Sequence, residues 1–478
     1  MLYVPLISRS GSSANFCHLL KNLFKSKNSR GNQNYHNLHL SLKNKMSFST
    51  TSSNLHDVKI EINPASCMAD DSVSIKVAGL KPGQIVTLSA DMKEIKTDLC
   101  CLAYYKADDS GCIDVSKMPS IGGRYTGVIP MGLIGGMKPA PHEKRQFSRY
   151  LKRDVDNPSL INFKVFDGEV PLKELYQKSD EIAKTTHKRH FIASGVTRIP
   201  VKYGKVRGSF FLPPGDGPFP SVIDMLGSAG GLLEYRAAML ANHGIAALAL
   251  AYCAYDDLPK HLEEFHMSYF EEAIQFLLEQ EKVVKPDVGV LGFSKSGDLA
   301  LAMGTFIPEA KAIVNVNGNY GNIGSPLVLK DRTIPPLMGG PDGVKILGEN
   351  LYDIRDAVFK PLDYPDTIIP LEEGDANFLF IVSGDDRNYN SSQLAKEATE
   401  RLSNAGKNNF KVIEYEDAGH CLDPPHLPYC EASYHPLVGG NVVWGGKLKE
   451  HLEAQEKSWP IILNFFKEQL QSSDKSKL

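Results

Sequence analysis

Val288-Gly-Val-Leu-Gly-Phe-Ser-Lys-Ser-Gly297 is the stretch on which the reading of the fold turns. An apolar run ends at Ser294, small residues (Gly292, Ser296, Gly297) surround that serine, and Asp298-Leu-Ala-Leu-Ala-Met303 continues with helical character. A buried strand, a sharp turn carrying a serine and then a helix is the pattern of a nucleophile elbow. Small neighbours are needed because the turn presses backbone against backbone. Read this way, the segment predicts serine-dependent acyl transfer at Ser294.

Working outward, strand-like and helix-like stretches alternate around the elbow. Val201 to Leu212 reads as two strands, followed by the stiff loop Pro213-Pro-Gly-Asp-Gly-Pro-Phe-Pro220. Pro220 to Met225 is a strand, Leu232 to Ala241 a helix, Ile245 to Ala251 a strand and His261 to Gln280 a long amphipathic helix. Lys311 to Val316, Phe378 to Ser383 and Phe410 to Glu414 are later strands. This alternation predicts a mostly parallel sheet with helices on both faces. Pro308 to Ile369, rich in Pro, Gly and Asp, is expected to form a cap or loop insertion around the site.

Before the alternation the texture is different. Val58-Lys-Ile-Glu-Ile62 and Val73-Ser-Ile-Lys-Val77 alternate strictly, and Ile85 to Ala90 follows the turn signal Lys81-Pro-Gly83. Ile161 to Val165 and Arg189 to Ile192 have the same short-strand character. Short strands between turn signals predict an antiparallel, immunoglobulin-like sandwich. The expected organisation is therefore an extension over 1–56, an all-β domain over 57–195, a catalytic α/β domain over 196–470 and a tail over 471–478.

A chain of 478 residues is long enough for two such cores. Its apolar fraction of 42% and charged fraction of 23% are those of a soluble globular protein. A net charge of −3 gives no support for nucleic-acid binding. The longest apolar run, Gly244 to Cys253, is far too short to span a membrane and reads as a buried parallel strand. The eight cysteines include no CxxC pair and no zinc-like spacing, so they are expected to be reduced structural thiols, with Cys100 and Cys101 facing opposite sides of one strand.

Both ends carry address-like patterns. Residues 1–56 hold seven Lys/Arg and no acidic residue, and Phe16, Leu19, Leu20, Leu23 and Phe24 fall on one helical face. That is the pattern of a mitochondrial presequence, with Met46 as an alternative start. Ser476-Lys477-Leu478 is the tripeptide read by the peroxisomal import receptor. Peroxisomal delivery is the favoured expectation, with the mitochondrial matrix reached through residues 1–45 of a second product.

In an elbow enzyme of this topology the acid and then the histidine follow the serine along the chain. Asn377-Phe-Leu-Phe-Ile-Val-Ser-Gly-Asp-Asp386 offers Asp385 and Asp386 at the end of a strand. Phe410-Lys-Val-Ile-Glu-Tyr-Glu-Asp-Ala-Gly-His420 offers His420 one strand later, in competition with His426, His435 and His451. An imidazole would take the hydroxyl proton while the carboxylate fixes its tautomer. For the oxyanion, the expected donors are the amide of Lys295 and the loop Gly227-Ser228-Ala229 within Asp224-Met-Leu-Gly-Ser-Ala-Gly-Gly231.

Longer motifs carry a family resemblance. Gly217-Pro-Phe-Pro-Ser-Val-Ile-Asp-Met225, Gly230-Gly-Leu-Leu-Glu-Tyr-Arg236, Tyr255-Asp-Asp-Leu-Pro259 and Gly292-Phe-Ser-Lys295 resemble the type I acyl-CoA thioesterases and bile acid-CoA:amino acid N-acyltransferase. So do Asp385-Asp-Arg-Asn388, Gly419-His420, Leu437-Val-Gly439 and Trp444-Gly-Gly446, and, nearer the N-terminus, Pro130-Met-Gly-Leu133 and Leu151-Lys-Arg-Asp-Val155. The resemblance runs from about residue 60 to 468. It implies a β-sandwich followed by an α/β-hydrolase domain, Asp386 as the triad acid, an acyl-CoA substrate and no metal or other cofactor. Members commonly carry two glycines after Ser-Lys, where this chain has Ser296 and Gly297, and a local adjustment of the turn is expected. The acyltransferase branch usually carries cysteine at the position of Ser294. Serine therefore favours hydrolysis to a free fatty acid over conjugation to glycine or taurine, and both over a non-catalytic acyl-lipid binder.

Overall fold

The computed structural model describes residues 57–175 and 179–470. The sequence patterns at the two ends lie outside the described residues.

In the N-terminal part, Lys59–Asn63 and Ser74–Ala78 pair antiparallel in a three-stranded sheet. The strictly alternating sequence puts Ile60, Ile62, Ile75 and Val77 inward and their charged neighbours outward. A larger sheet is built on Ile85–Lys93, Asp98–Lys106, Ser159–Asp167 and Ala183–His190. The apolar sides of both sheets, including Val86, Leu88, Phe163 and Val165, share one core, which makes a sandwich. One pairing departs from the antiparallel expectation: Ser66–Met68 runs parallel to Ala183–His190. Asp98–Lys106 is buried along both faces, so Cys100 and Cys101 are both inaccessible, and no disulfide joins the seven described cysteines.

The catalytic part is an eight-stranded sheet. Its order is Thr197–Tyr203, Val206–Leu212, Ala246–Ala251, Ser221–Leu226, Val288–Phe293, Ala310–Val316, Asn377–Ser383 and Phe410–Tyr415. Val206–Leu212 runs antiparallel to both of its neighbours, and the strands beyond it are parallel. The central strands Ser221–Leu226, Ala246–Ala251 and Val288–Phe293 are buried at every residue, which explains their unbroken apolar sequences. Helices Tyr235–Asn242, Met267–Glu279, Lys295–Phe306, Ser391–Asn404 and Leu448–Gln469 cover the faces. This is the α/β-hydrolase architecture. The long helix expected from His261 begins only at Met267, because Phe265–His266 pairs instead with Leu327–Val328. Among the described residues, no helix is long and apolar enough to cross a membrane.

Candidate active site

The turn after Val288–Phe293 holds Ser294 at φ 56° and ψ −126°. A residue with a side chain adopts such a conformation only when its surroundings enforce it. They do so here: a Cβ on Gly292 would stand 2.1 Å from the Ser296 carbonyl. Ser296, fully buried, is a working part of the turn. Its hydroxyl accepts from the Phe293 amide at 2.9 Å and donates to the Met225 carbonyl at 2.7 Å, stitching the elbow to the neighbouring strand. This is how the turn accommodates a serine at position 296. Replacing Ser296 by Ala removes both of these buried bonds, and should lower unfolding free energy by about 1–3 kcal/mol. Denaturant titration of the variant measures this, and an unchanged midpoint would argue against the stitch.

Three side chains converge at the elbow. Ser294 Oγ lies 2.9 Å from His420 Nε2, and His420 Nδ1 lies 2.7 Å from Asp386 Oδ2. All three are buried. Asp386 is saturated with donors: its Oδ1 accepts from the amides of Asn388 and Tyr389 at 2.7 and 3.0 Å, and its Oδ2 also accepts from the Ser391 hydroxyl at 2.5 Å. Those bonds hold the carboxylate in place, aimed at His420. Asp385 faces away and is held by Arg387 Nε at 2.6 Å and the Gly446 amide at 2.9 Å. Of the two aspartates left open by position, Asp386 is the one that meets the histidine.

His420 is fixed on every side. Its ring stacks on Trp444 with centroids 5.3 Å apart and meets Tyr389 edge-on at 5.4 Å. Asn317 Nδ2 donates to its carbonyl at 2.8 Å. A Cβ on Gly419 would stand 2.1 Å from the Gly445 carbonyl, so only glycine permits this approach. His451 anchors the same loop: its Nδ1 accepts from the Gly419 amide at 3.0 Å and its Nε2 donates to the Cys421 carbonyl at 3.2 Å. Burial pushes His451 down to about 4, keeping it neutral as that bonding requires. His435 lines the cavity but faces Trp444, and burial, then His420, lowers it to about 4. His426 lies away from the serine, with Nδ1 3.6 Å from Glu456. No local pattern ties Asn317, Trp444 or His451 to the triad, although Trp444 lies in a family motif and His451 was a rival candidate, because each supports the site from a distant element.

The loop Gly227-Ser228-Ala229 does border Ser294. Its first amide, however, is already committed, since Gly227 N–H donates to the Phe293 carbonyl at 3.2 Å. That corrects the expectation for Gly227 and leaves the amides of Lys295, Ser228 and Ala229. Tyr252 hydroxyl bonds the Gly227 carbonyl. In a trans peptide this turns the Ser228 N–H to the opposite side. The Lys295 amide, in the first turn of its helix, has no intrahelical acceptor. The Lys295 side chain is separate from this: its Nζ is buried against Asp298 Oδ2 at 2.7 Å.

Ser294 and His420 open into a cavity of about 280 Å³. Its floor is the catalytic sheet, and its roof comes from the N-terminal part, through residues 94–97 and 145–153. Pro308–Ile369, expected to cap the site, contributes nothing to its lining. Arg149 ties roof to floor: Nη2 donates to both oxygens of Asp423 at 2.8 Å, and the guanidinium sits 5.0 Å over the Phe293 ring. For a metal, Asp98, His142 and Glu143 form the one grouping among the described residues with ligand atoms close together, its histidine exposed and its two acids half-buried.

Comparison with known proteins matches this arrangement. The family described as "Acyl-CoA thioester hydrolase/BAAT N-terminal region" matches residues 70–203, and "BAAT / Acyl-CoA thioester hydrolase C terminal" matches 265–472. The chain is 42% identical to mouse acyl-coenzyme A thioesterase 3 over 433 residues, covering 90% of this chain and 98% of that one. It is also 42% identical to rat "acyl-coenzyme A thioesterase 2, mitochondrial", covering 90% and 92%. Among solved structures, an acylaminoacyl peptidase of Pyrococcus horikoshii is similar with a TM-score of 0.40 at 11% identity, covering 84% and 75%. On the sequence matches, which span both parts of the molecule, the chain belongs to the acyl-CoA thioester hydrolase/BAAT family.

Proposed function

We propose that the protein is an acyl-CoA thioesterase in which Ser294, His420 and Asp386 act as the catalytic triad. The observation that carries this reading is the unbroken line of hydrogen bonds, Ser294 Oγ to His420 Nε2 at 2.9 Å and His420 Nδ1 to Asp386 Oδ2 at 2.7 Å, opening into a cavity. His420 takes the hydroxyl proton as Ser294 Oγ attacks the thioester carbonyl, and Asp386 stabilises the imidazolium. The Lys295 amide, with that of Ser228 or Ala229, receives the oxyanion. Collapse of the tetrahedral intermediate breaks the C–S bond, and His420 protonates the departing thiolate of CoA. Water then attacks the acyl-serine carbonyl, giving a proton to His420, and His420 returns that proton to Ser294 Oγ as the ester bond breaks and the fatty acid leaves. The serine supplies the covalent step, so this route requires no cofactor.

The residues 57–195 and 196–470 are proposed as the two domains, the first roofing the site of the second. The test of activity is direct. Acyl-CoA is incubated with the protein, with and without glycine or taurine, and the released thiol and the product mass are recorded. Free fatty acid in both cases is the expected result. Acyl-glycine or acyl-taurine as the main product would make the protein an N-acyltransferase, and no thiol release at any chain length would remove the thioesterase reading. Peroxisomal delivery through Ser476-Lys477-Leu478 is proposed as well, and a fluorescent fusion that stays diffuse with this tripeptide intact would refute it.

A further inference from the structure

We propose that Lys96, Arg145 and Arg153, on the roof of the Ser294 cavity, bind the phosphate groups of coenzyme A. This rests on the thioesterase reading and extends it to the half of the substrate that does not react.

All three side chains line the same cavity as Ser294 and His420. The side chains of none of the three have an ion pair or hydrogen bond among the described residues, whereas Arg149, Lys152 and Arg198 do. The carboxylates close to them are spoken for. Glu94 accepts from Lys152 at 3.2 Å and from the Ser159 hydroxyl at 2.5 Å. Asp98 pairs with His142 at 3.1 Å, and Glu143 accepts from the Asp98 amide at 2.8 Å. Arg149 is likewise paired, through Nη2, with Asp423. What remains facing the cavity is an excess of positive charge, in a chain whose net charge is −3. Arg153 reaches the active-site loop itself: its Nη1 lies 3.9 Å from where a Cβ on Gly231 would stand.

Unpaired guanidinium groups grouped around a cavity are suited to a ligand with several anionic oxygens, since each can donate two parallel hydrogen bonds to a phosphate. A fatty acyl chain has no use for them, and the thioester is neutral. Coenzyme A carries its phosphates at the far end of a long arm from the sulfur. With the thioester at Ser294, that arm must leave the cavity past its rim, where Lys96 and Arg145 are exposed. The field of the rim also raises the local concentration of an anionic substrate, an effect that salt weakens.

The test uses the full-length protein with two independent readouts. Binding of CoA itself is measured by calorimetry at low and high salt, and hydrolysis is compared between a fatty acyl-CoA and the pantetheine thioester of the same acid, which lacks the phosphates. Arg145→Gln and Arg153→Gln are each expected to weaken CoA binding about tenfold and to raise KM for the CoA ester with kcat held. The double variant should weaken binding about a hundredfold and cut the preference for the CoA ester over the pantetheine thioester correspondingly. Lys188→Gln, an exposed cation on another strand, controls for bulk charge and should change neither. Wild-type affinity for CoA in the double variant would overturn the proposal. So would an equal loss on both thioesters, or a loss confined to acyl groups carrying their own carboxylate, which would put the anion at the other end of the substrate. CoA binding that is salt-sensitive and lost in the double variant, in a protein that releases no thiol, supports this site and refutes the thioesterase reading. Failure of the wild type to bind CoA refutes the site whatever the activity.

Discussion

Ser294→Ala should lower the rate of CoA release by at least about 10⁴-fold, the scale on which removal of a triad nucleophile acts. The substitution removes one oxygen at the mouth of a cavity and leaves the elbow's own bonds, Ser296 to Phe293 and Met225, in place. Folding should therefore be intact, since alanine keeps the same backbone demand at φ 56° as the serine it replaces. Asp386→Asn should cost about 10⁴-fold for a different reason. The carboxylate accepts the Nδ1 proton of His420 at 2.7 Å, and so keeps Nε2 free to take the proton of Ser294. An amide at that position can donate to Nδ1 and select the other tautomer, with little movement of any atom. Steady-state thiol release, read beside circular dichroism and thermal unfolding, separates chemistry from folding. Activity within tenfold of wild type in either variant would exclude the assigned role.

Acid should destabilise the protein as pH falls below about 6.5. His187, His426, His435 and His451 are all buried, and burial is the leading cause that lowers each from 6.5 to about 4. Between those limits the unfolded chain binds more protons than the folded one, so stability is present above about pH 6.5 and is lost as pH falls toward 4. A shift of that size corresponds to about 3 kcal/mol for each group over the whole window. Asp298 works in the opposite direction: burial raises it to about 6 against the pull of Lys295, and it gains stability as pH falls. Burial also raises Asp224 and Glu456, which act in the same direction as Asp298, but four histidines outweigh three acids, and native stabilities total only about 5–15 kcal/mol. Urea midpoints should fall steeply between about pH 7 and about pH 5. A midpoint that holds steady across that interval would show that these histidines stay solvated or find anionic partners.

The elbow was legible because strand, turn and helix are all local, and each leaves its mark on neighbouring residues. The order of serine, acid and histidine followed from topology, and the choice of Asp386 over Asp385 came from family resemblance. Distance in the chain hid the remainder. Nothing near Trp444 or His451 in sequence announces that one stacks on His420 and the other holds Gly419. The commitment of the Gly227 amide to Phe293 depends on the spacing of two parallel strands, which a glycine-rich loop does not encode by itself. The cap was misplaced for a related reason. Pro308–Ile369 has the composition of a mobile insertion, yet the roof is supplied by residues 94–97 and 145–153, far upstream of the serine. Helix Met267–Glu279 started late because its first expected turn found a strand partner, and periodicity alone does not register such competition.

That the roof and the floor of the cavity come from different stretches of chain has an evolutionary consequence. Apart from Lys96, Arg145 and Arg153, residues 94–97 and 145–153 can drift without disturbing the elbow, the acid or the histidine, so long as Arg149 keeps its grip on Asp423. New substrate preferences can then arise by remodelling a surface that takes no part in proton transfer. Duplicated copies of such a gene can diversify in what they admit while inheriting unchanged what they do to it.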